Sequence, residues 1–271
     1  MLDDSTRRGL AFNERSPKRG CRRSPASRLS YMHYYRTILR ADYRPSLDFY
    51  EKLFVLAQSV EGFPDWGTDR LSVTLRDTTN RCSVHLGHDV FWYSQDLKGQ
   101  PEKDDKRIRQ LLLNVAPQLK KDTYTRVGFR RIYLHDVQMS FNQLVSHLSR
   151  KFLVQAKEIT EGIFPRPTDL AYVFHFDEGA ANIRLQLGPV KRSELGLHLV
   201  PDLASNFGPN EQNLGPEELY KETVEPSLFV DIDFAQKDME AGTLVEFYES
   251  ALALHGKLGH NITTYLFGIG E

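Results

Sequence analysis

Hydrophobic and polar positions along the chain fall into two alternating periods, and these mark its elements. Residues 34–43 are β-branched and aromatic and read as a strand. Pro45 and Ser46 then set a helix start, with Leu47, Phe49, Tyr50, Leu53, Phe54 and Ala57 at helical spacing. Residues 62–67 read as a turn-rich connection. Over residues 70–76 the alternation is strict: Leu71, Val73 and Leu75 take one face, while Arg70, Ser72, Thr74 and Arg76 take the other. Residues 77–80 carry hairpin-turn chemistry, and residues 82–92 form the return strand. Ile108, Leu111, Leu112, Val115 and Leu119 mark an amphipathic helix that Pro117 bends or ends.

The pattern then starts again. Residues 126–134 predict a strand, and Ser140 an N-cap before the stripe Phe141, Leu144, Val145, Leu148 and Phe152. After the stiff "FPRP" at 164–167 come a second hairpin (170–178 with 181–187) and a strand-like stretch at 195–200. Residues 201–226 are rich in Gly, Pro and Asn and read as a loop with a helical turn near 217–221. Residues 228–234 form a last strand. Leu244, Phe247, Tyr248, Ala251, His255, Leu258 and Ile262 stripe a C-terminal helix. The expected fold is α+β, built from duplicated β-α-β-β units with mostly antiparallel sheets and helices on one face. Its parts are a disordered basic leader (1–31), a first unit (32–121) and a second unit with the C-terminal helix (122–271). "TDRLSVTLRDTTNRCSVHLG" from Thr68 and "TDLAYVFHFDEGAANIRLQLG" from Thr168 share their Thr-Asp start and Leu-Gly close. Helices on one side leave the opposite sheet face open.

Charge divides the chain unevenly. Its net charge is −1, but residues 1–31 hold eight Arg or Lys against Asp3, Asp4 and Glu14. Subtracting these from 35 basic and 36 acidic residues leaves 27 and 33, so the remainder is acidic. The leader lacks apolar periodicity and cannot offset its own ordering entropy. It reads as upstream sequence before a start at Met32, as a basic arm for a polyanion, or as an Arg- and Ser-rich transit peptide. No apolar run reaches the roughly 20 residues that cross a bilayer. The two cysteines, Cys21 and Cys82, predict no disulfide framework, and a cytoplasmic location is expected.

Three later segments, "RVGFRRI", "LFVDIDF" and "ALHGKLGHNITTYLF", resemble a sporadically distributed prokaryotic family of uncharacterised proteins. In that family an RxGLRYIN-like strand, an LDID-like strand and an LHxxIxxxF-like C-terminal helix recur. Here Arg130 and Arg131 precede Ile132 with no Asn after it, and Gly259 and Asn261 depart from the usual helical ending. The resemblance covers residues 32–271. It implies a prokaryotic protein starting at Met32, and it implies no particular activity.

Candidate chemistry is sparse. Asp231 and Asp233 share one strand face and could bind Mg²⁺ or Mn²⁺ as a metal-dependent hydrolase or nuclease requires. Alternatively they pair with Arg126, Arg130 or Arg184 across the sheet. Cys82, His85 and His88, spaced at threes, invite a zinc reading, but positions 82 and 85 of a strand point to opposite faces and no second ligand pair completes four, which argues against it. His255 lies within an apolar stripe and reads as a core histidine. Phosphate-loop spacing and the nucleophile elbow are missing from the sequence, and no cofactor is expected. The richest feature is the open sheet face. There Arg70, Arg76, Arg36, Arg40 and His85 would converge on an anionic ligand or nucleic acid. Ile38, expected inward, shares its parity with Arg36 and Arg40, so a regular first strand would bury those two arginines with it and turn Tyr35, Thr37 and Leu39 outward, unless the strand carries a bulge or runs along an edge. The expected function is a non-catalytic binding or regulatory module, with burial of that face in a homo-oligomer as a further use.

Overall fold

The computed structural model describes residues 32–45, 49–97, 101–153, 168–198, 208 and 210–268. The leader and residues 164–167 lie outside these. The strands are β1 (Met32–Asp42), β2 (Asp65–Thr68), β3 (Ser72–Asp77), β4 (Cys82–Gly87), β5 (Val90–Leu97), β6 (Thr123–Asp136), β7 (Tyr172–Glu178), β8 (Ala181–Val190) and β9 (Ser227–Glu240). The long helices are α1 (Phe49–Gln58), α2 (Pro101–Leu119), α3 (Phe141–Phe152) and, after two single turns, α6 (Leu244–Phe267). Those single turns are α4 (Leu195–His198) and α5 (Pro216–Leu219).

All nine strands form one antiparallel sheet in the order β2-β3-β4-β5-β1-β6-β9-β8-β7. The segments 32–121 and 122–271 meet at its centre, where β1 pairs with β6. On either side of that pair the order runs alike, β5-β4-β3 beyond β1 and β9-β8-β7 beyond β6.

One sheet face is the floor of the main core. Leu39, Ala41, Val73, Leu75, Val84, Leu86, Phe91, Val127 and Phe129 lie beneath α1, α2 and the first turns of α6. Leu185, Leu187, Leu228, Val230 and Ile232 continue that face beneath α3 and the end of α6. Directly paired residues of an antiparallel sheet share a face, and the pairs Leu39–Phe129 and Phe129–Phe234 carry this one across the centre. Removing these apolar side chains from water contributes about 1.5–3 kcal/mol each, and less for Ala41. Ser140 caps α3 as expected: its hydroxyl accepts from the Gln143 amide, and the Gln143 side chain accepts from the Ser140 amide. Pro117 stands inside α2, two residues before its end.

Three local expectations change. The return strand of residues 82–92 is two strands, β4 and β5, turning at His88–Asp89 with Leu86 opposite Phe91. The connection at 62–67 contains β2, a short edge strand ordered by pairing with β3 rather than by its own composition. The stretch from Leu195 forms the single turn α4 instead of a strand, with Leu195 buried against Ile132, Leu134, Val190 and Phe229. Tyr220, just beyond α5, packs into the same cluster. This cluster lies on the face away from the long helices, so that face is covered at one end and not wholly open.

The covered end also holds a buried ion pair. Arg36 and Asp96, on neighbouring strands, form two parallel hydrogen bonds, one between Nη2 and Oδ2 at 2.7 Å. Both side chains are removed from solvent. Asp96→Asn removes the carboxylate charge that faces the buried guanidinium and should cost about 3–5 kcal/mol in urea denaturation. A loss under about 1 kcal/mol would show that water, not protein, solvates Arg36.

Candidate ligand-binding face

The face away from the long helices is built by β-strand alternation, which sends every second residue of each strand toward it. From β1 come Arg36, Ile38 and Arg40, from β6 Arg126, Gly128 and Arg130, and from β9 Asp231, Asp233 and Lys237. β8 adds Asn182, Arg184 and Gln186, while β3 to β5 supply Thr74, Arg76, His85 and Trp92. Ile38 thus lies on the polar side, and Leu39 and Ala41 take the core positions.

Acidic partners hold much of the basic charge. Arg130 donates Nε and Nη2 to the two oxygens of Asp231, each at 2.8 Å, and Arg184 Nη1 adds a bond at 3.2 Å. Arg126 stands 3.7 Å from Asp233, and Arg40 Nε donates to Asp42 at 2.7 Å. Burial raises the Asp233 carboxyl above its ordinary range, and Arg126 and Arg130 oppose that rise. Side-chain exposure is least at Arg36, nearest the covered end, and larger in the rows beyond it. It is 1% at Arg36, 25% at Arg130, 33% at Arg184, 41% at Arg126 and 53% at Arg40. Beyond the covered end, Arg40, Arg126, Arg130, Arg184 and Lys237 share the face with the carboxylates Asp42, Asp177, Asp231 and Asp233, so basic and acidic side chains nearly balance there.

The residues expected to converge do so only in part. Arg40, Arg76 and His85 share the face. Arg36 shares it too but is buried against Asp96. Arg70 is exposed in the bend before β3 and belongs to no strand row. Arg76 lays its guanidinium against Gly67 of β2, and its buried Nε has no partner among the described residues. His85 Nδ1 lies 3.0 Å from the Thr74 hydroxyl, and its ring stacks on Trp92 at 5.3 Å and 12°. Burial lowers the His85 pKa, which favours the neutral ring. Trp92, Lys237 and Asn182 were not singled out in the sequence. Trp92 could have been, because it stands on the same strand face as Ser94, outside the core alternation of Phe91 and Tyr93.

Asp231 and Asp233 point to one face as alternation requires, but Asp231 is fully engaged by arginines. Among the described residues, no group of three or more His, Cys, Asp or Glu side chains is placed to hold a metal ion. Burial pushes the Cys82 thiol up to about 12, far from a thiolate nucleophile. His255 lies inside the core with Nδ1 3.3 Å from the Tyr133 hydroxyl. Burial, then the Arg131 charge, lowers its pKa to about 3.

Two measurements follow from these environments. Mg²⁺ or Mn²⁺ should leave the melting temperature unchanged, because the arginines already neutralise Asp231. A saturable rise abolished by Asp231→Asn would establish a metal site instead. For His255 the folded-state pKa lies below its unfolded value of about 6.5. The unfolded chain therefore binds more protons, and the histidine's contribution is complete above pH 6.5 and lost as pH falls toward 3. By pH 5 that loss is about 2 kcal/mol. Asp104, raised by burial to about 6, acts oppositely: the folded chain keeps its proton up to about that pH, so stability falls as pH rises from about 4 to 6. His255→Phe should therefore lose less stability between pH 7 and pH 5 than the parent chain in paired denaturant titrations. Equal losses would contradict a buried, neutral His255.

No family model matches the chain and no curated protein matches it, so the functional reading rests on the geometry of this face.

Proposed function

We propose that the chain is a non-catalytic binding protein, prokaryotic and cytoplasmic, which holds an anionic ligand or partner against its polar sheet face. The observation that carries this reading is the exposure gradient. Arg36, at the covered end, is buried against Asp96, while Arg40 and Arg126, farther from it, are the most exposed of the face's paired arginines, each with a single acidic neighbour, and stand beside Gly128. Guanidinium groups that present N–H donors to solvent suit phosphate and carboxylate oxygens. Engagement of Asp231 by two arginines and burial of Cys82 and His255 favour binding over catalysis.

The same reading keeps the chain with the prokaryotic family that its three motifs resemble, and takes its halves as copies of one unit. Supporting the duplication, once β2 and the single turns α4 and α5 are set aside, the described elements β1-α1-β3-β4-β5-α2 and β6-α3-β7-β8-β9-α6 run in the same order and take matching places outward from the centre of the sheet. Superposing the two series in an experimental structure should align α1 with α3. Misalignment of those helices would end the duplication idea.

Tripolyphosphate should raise the melting temperature saturably, following RT ln(1 + [L]/Kd), and the rise should shrink in an Arg40→Gln/Arg126→Gln variant. No rise, or one indifferent to both substitutions, would remove the face from the binding reading.

A further inference from the structure

We infer that this face binds single-stranded nucleic acid, laid across strands β2 to β6 at right angles to them. The inference rests on the anion-binding reading above and specifies its ligand. Cross-strand pairing sets Gly67, Thr74, His85, Trp92, Arg40 and Gly128 in one row, each directly opposite the next. Six neighbouring strands at about 4.8 Å spacing make this row about 24 Å long.

The two glycines give the row its character, because arginines from adjacent rows lean over them. The Arg76 guanidinium lies 3.1 Å from where a Cβ on Gly67 would stand, and the Arg126 guanidinium 3.4 Å from one on Gly128. Along the line the order becomes cation, hydroxyl, two stacked rings, cation, cation: Arg76, Thr74, His85 with Trp92, Arg40, Arg126. Three guanidiniums separated by an aromatic pair match a strand of phosphates carrying flat bases. Stacking on protein rings tolerates any base, while the cations follow the backbone. An isolated phosphate would use the guanidiniums and leave the rings idle. A duplex keeps its base faces stacked inside and would leave them idle as well. The acidic balance of residues 32–271 disfavours general adhesion to polyanions, and with Asp42, Asp69 and Asp89 beside the row, attraction is confined to the three guanidiniums and the ring pair.

Fluorescence anisotropy on the full chain tests the assignment, using a labelled mixed-sequence single strand of about 15 nucleotides, comparable to known single-strand sites. The matching duplex and tripolyphosphate serve as the other ligands. The single strand should bind more tightly than the duplex, with a log–log salt slope that three contacted phosphates bring to about −2 or steeper. Arg40→Glu with Arg126→Glu, both at least partly exposed and so tolerable to the fold, should weaken binding at least about tenfold and flatten the slope by about 1.4. In a Trp66→Phe background the remaining tryptophan, Trp92, should change its emission on saturation. Trp92→Leu should weaken the single strand about tenfold while leaving tripolyphosphate binding unchanged. Equal or tighter duplex binding, or a Trp92 emission that does not respond, would overturn the single-strand assignment. Affinity unchanged by the Arg40 and Arg126 reversals would move binding to the basic residues 1–31. Tripolyphosphate binding without nucleic-acid binding would sink this inference and leave the anion-binding reading standing. Failure of every anion would sink both.

Discussion

A one-residue slip in the pairing of β6 with β1 or β9 would exchange Phe129 for Arg130 beneath the helices and send Phe234 to the polar side in place of Asp233. Side-chain direction alternates with a period of two, so register decides every assignment on both faces together. The centre of the sheet is where that decision is hardest to evade. Phe129 packs edge-on to both Tyr248 and His255 of α6, and Phe234 stacks on Phe247 of the same helix. On the other face Arg130 reaches Asp231 through two bonds whose geometry a slip would destroy. Apolar packing and charge pairing therefore select the same register from opposite sides, the agreement between levels that gives a sequence a single fold.

The ion pairs of the polar face are better understood as register devices than as sources of net stability. Two charges taken out of water lose several kcal/mol of solvation each, and their attraction roughly restores it only when every lone pair is met. Arg36 with Asp96 and Arg130 with Asp231 approach that condition through two parallel bonds each. Their value is against alternatives, because a mispaired strand would strand a charge. Covering of one end of the face follows from the same arrangement. Leu195, Leu219 and Tyr220 settle over Ile132, Leu134 and Phe229, where alternation places apolar side chains among the polar rows. Glu211 then reaches Arg81 at the β3–β4 turn, fixing the far side of that cover.

Much of this was legible in the sequence, and the remainder failed for identifiable reasons. Strict alternation over residues 71–76 placed Val73 and Leu75 in the core and Arg76 outside it, and Ser140 announced its helix. The first strand was ambiguous, because Ile38 and Leu39 are equally apolar and only one parity can face the helices. What decides it is Asp96, sixty residues away, which makes the inclusion of Arg36 in a covered face tolerable. No local pattern reveals a partner at that separation. Leu71 looked like core but stands in the bend before β3, exposed, because Asp69 accepts its amide and ends the strand there. Arg70 left the expected patch for the same reason. β2 escaped notice because Asp, Trp, Gly and Thr carry little strand signal, and the pairing partner supplies the order.

The glycines explain why the exposed arginines form a line when their Cα atoms do not. Arg76 and Arg126 belong to different cross-strand rows from Thr74 and Arg40, and an extended guanidinium would stand in its own row. A side chain at position 67 or 128 would hold it there. Without one, each guanidinium folds along the strand onto the vacant position and meets the row of His85, Trp92 and Arg40. At Gly67 the fit is close enough that a methyl group would force Arg76 to shift by some tenths of an ångström. Neither position has the left-handed backbone that would demand glycine, since the positive-φ glycines are Gly62, Gly179 and Gly268. Closeness of approach is therefore the remaining physical reason for glycine at 67, and at 128 the lesser crowding makes the same argument weaker. The charge pattern of the face is thus written in residues that carry no charge.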